Sequence, residues 1–154
     1  MGRATGRRGT ITALLLAAAL TTAAARGAGE KVRHVDEPGR SGDLPFAHLV
    51  VAGDTVYLSG VLGLDPETRK VPEDPAVEVR RIMDTIRNRL ALVDLTPDDL
   101  VSVQVFCSDV ALYGTFNEVY RTYFQEHFPA RAFVGSGPLL FDARFEVQGI
   151  AVRH

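Results

Sequence analysis

The sequence predicts an α/β (α+β) fold: one mixed β-sheet with two helices packed on one face, in the order β-β-α-β-α-β-β. Three observations predict it. Apolar residues recur at spacings of three and four from Val79 to Val93 and again from Phe116 to Phe124. Short runs rich in β-branched and aromatic residues lie before, between and after those two stretches. The 154 residues, 46% apolar and 23% charged, are enough chain for one domain with a real core.

Residues 1–25 are set apart by composition. Arg3, Arg7 and Arg8 make a basic start, an uncharged Ala-, Leu- and Thr-rich run follows, and small residues close it at Ala25. That layout predicts a secretory signal peptide, with cleavage after Ala25 or Ala28, and an exported protein, periplasmic or secreted. The run is too short and too Ala-rich for the roughly 20 strongly apolar residues of a membrane span. Arg7-Arg8 leaves the general and twin-arginine export routes both open. Residues 26–44, charged and then rich in Pro, Gly and Ser, read as a flexible lead-in to a domain over 45–154.

Within that domain, 48–51, the Gly53-Asp54 turn and 55–61 predict a β-hairpin. Asp65-Pro66-Glu67-Thr68 is a turn. Asp74 before Pro75 predicts a helix start, an N-cap acceptor followed by a proline whose missing N–H costs nothing there. The stripe Val79, Ile82, Met83, Ile86, Leu90 and Val93 makes it an amphipathic helix of about five turns. Thr96 to Asp99 is a helical turn or loop. A strand over 101–108 follows, with Val101, Val103, Val105 and Cys107 on one face. Asp109 is placed to cap a second helix with the stripe Phe116, Val119, Tyr120, Tyr123 and Phe124, which Pro129 closes. A short strand over 132–136 and a long one over 143–152 end the chain. Helices on only one face leave the other face to be covered, and self-association is the simplest cover.

Composition excludes several functions. Lys and Arg total 17 against 19 Asp and Glu, a net charge of −2, and 14 against 19 once residues 1–25 are removed. Neither balance suits a protein that binds nucleic acid by neutralising phosphates, and the mature chain has no reason to hold an anionic membrane. Cys107 is the single cysteine, which excludes a disulfide framework and multi-cysteine zinc modules, and the four histidines lack ligand spacing. With no base beside it in sequence, Cys107 reads as a packed strand residue.

Chemistry concentrates near the C-terminus. Arg131 sits between a proline turn and a strand, where a guanidinium can grip a carboxylate through two parallel N–H···O bonds. Glu146 sits in an otherwise apolar strand, where a partly dry carboxyl can move protons to and from water. Each is also compatible with an ordinary solvated charge.

The stretch holding both residues resembles the closing motif of the RidA family of reactive-intermediate deaminases, the YjgF-type proteins. Pro129-Ala130-Arg131, Glu146 fifteen residues after the arginine, and Ile150-Ala151-Val152 match it in type and spacing. Pro45-Phe46, Ser59-Gly60, Asp65-Pro66-Glu67-Thr68 and Asn117 extend the similarity over roughly 45–154. The resemblance implies a chorismate-mutase-like fold and a homotrimer with sites at the subunit interfaces. It implies hydrolysis of 2-aminoacrylate-like enamine and imine acids to 2-keto acids and ammonia, without a cofactor or metal. Arg131 would hold the substrate carboxylate and Glu146 would activate water. Phe46, Ser59, Gly60, Asn117 and the backbone at Phe133 would line the pocket. The chain departs from the pattern at Phe46, where archetypal members have tyrosine, and at Phe133, where small residues or cysteine are common. It departs again at Pro138-Leu139-Leu140 and at Gln148, which stands where a second acid often follows. A non-catalytic trimer that binds small carboxylates or shields apolar segments is the alternative expectation.

Overall fold

Two helices cover one face of a six-stranded sheet whose strands run in the order β1-β2-β3-β6-β4-β5. The computed structural model describes residues 1–2, 32–40 and 43–154. The expected signal segment lies, beyond Gly2, outside the described residues. The elements are β1 (Arg33–Val35), β2 (Leu49–Ala52), β3 (Thr55–Leu62), α1 (Pro75–Ala91), β4 (Leu100–Cys107), α2 (Tyr113–Tyr120), β5 (Ala130–Gly135) and β6 (Phe145–Val152). All neighbouring strands are antiparallel except β4 and β5, which run parallel. The mixed sheet with two helices is the predicted fold class.

Local chemistry explains most boundaries. Ala52 pairs with Thr55 across a two-residue turn in which Gly53 takes a left-handed φ of 60° at no side-chain cost. Asp65 accepts the amides of Thr68 and Glu67, the Thr68 hydroxyl and the Arg81 guanidinium, which together pull its carboxyl down to about 2. The Asp74 carboxylate caps α1 by accepting the Ala76 amide at 2.8 Å. Every residue of the predicted α1 stripe is buried. These side chains meet Leu49, Val56, Leu58, Val103, Val105, Phe145 and Val147 from the sheet in one core. Phe116 of α2 joins it by packing its ring at a tilt against Phe145, with centroids 5.2 Å apart. Cys107 is buried there; its thiol donates to the Asp109 carbonyl, and burial pushes it above its ordinary pKa.

Four details differ from the sequence reading. That reading places no strand in 26–44, yet Arg33, His34 and Val35 pair with Val51, Val50 and Leu49. Their apolar content is too low to announce a strand, and the edge position supplies the partner. In β4 the register shifts between Leu100 and Ser102, which buries Leu100 and leaves Val101 40% exposed, outside the predicted stripe. The second helix has only eight α-helical residues, flanked by 3₁₀ turns at Val110–Leu112 and Arg121–Tyr123. Finally, β5 begins at Ala130, so Arg131 lies inside a strand rather than before one.

Candidate active site

Parallel pairing of β5 on β4 sets Arg131 opposite Val103 and Phe133 opposite Val105. Val103 and Val105 are core residues, so alternation places Arg131 and Phe133 on the helix-covered face, beneath α2. There the Arg131 guanidinium carbon lies 4.6 Å from the Tyr120 ring centre, 5.7 Å from Phe116, 5.8 Å from Tyr113 and 6.0 Å from Phe133. The four rings attract the cation, Tyr120 at the shortest distance. Its Nη2 donates to Asn117 Oδ1 at 2.7 Å, and among the described residues no carboxylate pairs with it. The group opens into a groove of about 340 Å³ lined by Tyr113, Asn117, Tyr120, Arg121, Phe128 and Arg131.

The two tyrosines respond in opposite directions. Burial pushes the Tyr120 phenol up to about 12, against the Arg131 charge, and its hydroxyl is buried without a protein partner. The half-exposed Tyr113 phenol is held below its ordinary value by the Asn117 hydrogen bond and then by the Arg131 charge. A larger hollow of about 490 Å³ near Arg87, Pro97 and Tyr123 contains none of the predicted residues, and its arginine already pairs with Asp84 at 2.8 Å.

The remaining predicted residues gather on the other face. Glu146 alternates with the buried Phe145 and Val147, so its side chain leaves the core side of β6. Leu58 pairs with Gly149 and Val61 with Val147, which leaves Ser59 and Gly60 bulged out together opposite Gln148. The Glu146 carboxylate rests directly against the Gly60 backbone, where any Cβ would collide with it. Ser59 Oγ donates to the His48 carbonyl at 3.3 Å and accepts from Arg89 Nη1 at 3.4 Å. Phe46 is exposed and packs edge-on against His48, with centroids 6.2 Å apart. Arg131, Asn117 and Phe133 thus form one group; Ser59, Gly60 and Glu146 form another. Within one protomer the sheet separates them.

Sequence reasoning missed two sets of residues. Tyr113, Asn117, Tyr120 and Arg121 stand at i, i+4, i+7 and i+8, a helical spacing that puts them on one side of α2. The apolar stripe through Phe116 masked that pattern. The second set is a polar network that runs from the buried His48 and Arg89 out to the partly exposed lead-in. Arg89 pairs with Glu37 at 3.0 Å, the Glu37 amide donates to His48 Nδ1 at 3.1 Å, and the His48 amide donates to Asp36. Arg40 pairs with Asp36 in turn. No local signal links residues 36 and 37 to position 89.

That network carries a pH dependence. His48 Nδ1 must stay unprotonated to accept the Glu37 amide. Burial, followed by the Arg89 charge and more weakly by Arg40, holds the imidazole below its ordinary 6.5, while Glu37 and Asp36 pull the other way. A depressed pKa contributes stability above the unfolded value that is lost as pH falls through the folded one. The denaturation midpoint is therefore expected to drop as pH falls below the ordinary imidazole value of 6.5, and His48→Gln to flatten that drop. Urea titrations of both proteins above and below that value check it. Asp36, also depressed, through its hydrogen bond from the His48 amide, adds a loss only below 3.8.

Among the described residues no helix is long and apolar enough to cross a membrane. None of them forms a His, Cys, Asp and Glu cluster able to hold a metal ion.

Comparison with known proteins places this geometry in a family. The sequence pattern of the family described as "Endoribonuclease L-PSP" matches residues 41–153. The chain is 37% identical over 109 residues to the Drosophila melanogaster "RutC family protein UK114", covering 70% of this chain and 79% of that one. It is 33% identical over 112 residues to the Escherichia coli "2-iminobutanoate/2-iminopropanoate deaminase", covering 71% and 88%. The crystal structure of the E. coli YjgF gene product superposes with a TM-score of 0.67 at 33% identity, over 71% of this chain and 89% of that one. The chain belongs to the RidA family, whose sequence pattern carries the Endoribonuclease L-PSP description.

Proposed function

We propose that this protein is a reactive-intermediate deaminase that hydrolyses small 2-imino and enamine acids, of the 2-aminoacrylate type, to 2-keto acids and ammonia. The observation that carries the reading is the Arg131 guanidinium, held in an aromatic cradle without a counter-charge and open to a groove. Its edge not used by Asn117 is free to clamp a carboxylate through parallel N–H···O bonds. Clamping fixes the C=N carbon relative to a single proton-transfer group, which is the orientation that hydrolysis of an electrophilic imine needs.

Glu146 is that group. Its carboxylate takes a proton from water as the oxygen bonds to the C=N carbon and passes it to the nitrogen, giving a carbinolamine. It then takes the carbinol hydroxyl proton and delivers it to the amine as the C–N bond breaks, so that ammonia leaves and the keto group forms. An enamine first takes a proton on carbon to become the imine. No step calls for a cofactor.

Because Arg131 and Glu146 lie on opposite faces of one sheet, the reading requires two copies per site. β5 is an edge strand, and the sheet face bearing Glu146 has no helix over it. A homotrimer in which the α2 groove of one copy meets the open face of the next would complete three sites. Export of the mature chain through removal of residues 1–25 is part of the same proposal.

Ammonia and keto-acid release from imines generated in situ by an amino-acid oxidase tests the activity; a rate no faster than buffer across several imino acids sinks it. Gly60→Ala provides a local check. The added methyl displaces the Glu146 carboxylate, a flexible chain end, so activity is expected to fall about tenfold or more while stability changes by less than about 1 kcal/mol. Steady-state rates and a thermal melt on the same sample read the two effects. The exposed Phe46, which offers no hydroxyl to a ligand, favours the alternative of a carboxylate-binding trimer. Carboxylate-dependent thermal stabilisation without turnover would establish that alternative.

A further inference from the structure

Two guanidinium groups line the groove beside α2. Arg121 stands there with Arg131, and both are tethered to Asn117. Arg131 Nη2 donates to the Asn117 side-chain oxygen at 2.7 Å, and Arg121 Nε donates to its backbone carbonyl at 3.2 Å. One residue therefore keeps the two cations close. Six other arginines among the described residues, Arg40, Arg80, Arg81, Arg87, Arg89 and Arg144, each pair with a carboxylate. Among the described residues neither Arg121 nor Arg131 does.

Two unneutralised like charges held near each other raise the energy of the empty groove and create a strong demand for anions. The Tyr113 phenol registers both: after the Asn117 hydrogen bond, the charges of Arg131 and Arg121 lower its proton affinity. Between the cations the lining is largely aromatic, from Tyr113, Tyr120 and Phe128. The fitting occupant is a short carbon chain with an anionic group at each end.

We propose that the groove is built for a small dicarboxylate and, resting on the deaminase reading, that the preferred substrate is a 2-imino dicarboxylic acid. Its α-carboxylate lies on the half-buried Arg131 and its side-chain carboxylate on the exposed Arg121. The reaction is otherwise unchanged: water adds, ammonia leaves and a 2-keto dicarboxylic acid forms.

Binding tests the groove independently of turnover. By calorimetry on the full assembled protein, succinate or glutarate is expected to bind about tenfold more tightly than butyrate. Arg121→Gln removes that advantage. Arg80→Gln, which deletes an equal charge from exposed α1 surface, keeps it. An advantage missing from the wild type, or unchanged in Arg121→Gln, overturns the inference. Turnover separates it from the deaminase reading. Imines made in situ from aspartate or glutamate are expected to outpace those from alanine, by a ratio that collapses in Arg121→Gln. Turnover of alanine-derived imine with no dicarboxylate preference overturns the inference and leaves the deaminase standing. Tighter dicarboxylate binding without turnover of any imine upholds the groove's ligand class and overturns the deaminase.

Discussion

Arg131→Ala is expected to lower deamination by about two to three orders of magnitude while the protein still folds. The substrate loses its clamp: Asn117 retains only a neutral amide, and Arg121, the other cation of the groove, is tethered through Nε to the Asn117 backbone carbonyl rather than seated in the aromatic cradle. The cost to stability is modest, because deletion of a guanidinium that has no carboxylate partner leaves no buried anion behind. Loss of its stacking on Tyr120 is worth about 0.5–2 kcal/mol. Circular dichroism melts beside steady-state rates separate the two effects. Glu146→Gln is expected to cost activity comparably, since an amide accepts no proton from water.

Combining these variants tests where the site lies. If Arg131 and Glu146 act from different copies, neither variant alone restores a complete site. Co-refolded Arg131→Ala and Glu146→Gln chains do, at interfaces where each contributes its intact residue. Random assembly of a cyclic trimer makes about one interface in four complete, so about a quarter of wild-type activity should return. A mixture as inactive as its components would show that the two groups do not share an interfacial site.

The largest stability loss is expected at Glu78, far from the groove. This α1 carboxylate is fully buried and accepts from three donors: Arg144 Nε at 2.7 Å, the Arg144 amide at 2.9 Å and the Phe145 amide at 3.1 Å. Arg144 also reaches the carbonyls of Glu73 and Pro72. Glu78→Ala strands two backbone amides and a guanidinium, at a cost of about 3–5 kcal/mol. Glu78→Gln keeps an acceptor for the amides and should cost about 1–2 kcal/mol. A fall in the urea midpoint at unchanged m-value reads the difference. A loss below about 1 kcal/mol for the alanine variant would mean that water replaces the carboxylate.

The elements that sequence patterning revealed are those where one local rule governs. The α1 stripe from Val79 to Val93 obeys the helical period and is buried throughout, and Asp74-Pro75 carries its own start signal. The turns at Gly53 and Asp65 are likewise set by their own residues. Val101 escaped because the register shift between Leu100 and Ser102 turns the start of β4 over while Val103, Val105 and Cys107 keep the predicted face, and sequence alternation cannot place a shift. At the site, residue types and spacing identified Arg131 and Glu146 as candidates. Their placement on opposite faces depends on β5 pairing parallel with β4, a tertiary choice with no local mark. The aromatic cradle was concealed because Phe116 and Tyr120 satisfy the core-stripe rule while also flanking a cation. Glu78 was hidden for a similar reason, since its partners lie 66 and 67 residues away.

The anchoring of Asp36 and Glu37 bears on where this polypeptide can be shortened. The family pattern begins at residue 41, but the carboxylate that neutralises Arg89 belongs to Glu37, and β1 begins at Arg33. A truncation at the edge of the recognisable homology would leave a buried cation stripped of its counterion. The shortest version of this chain expected to keep that ion pair therefore starts upstream of the family pattern, at the first residue of the edge strand.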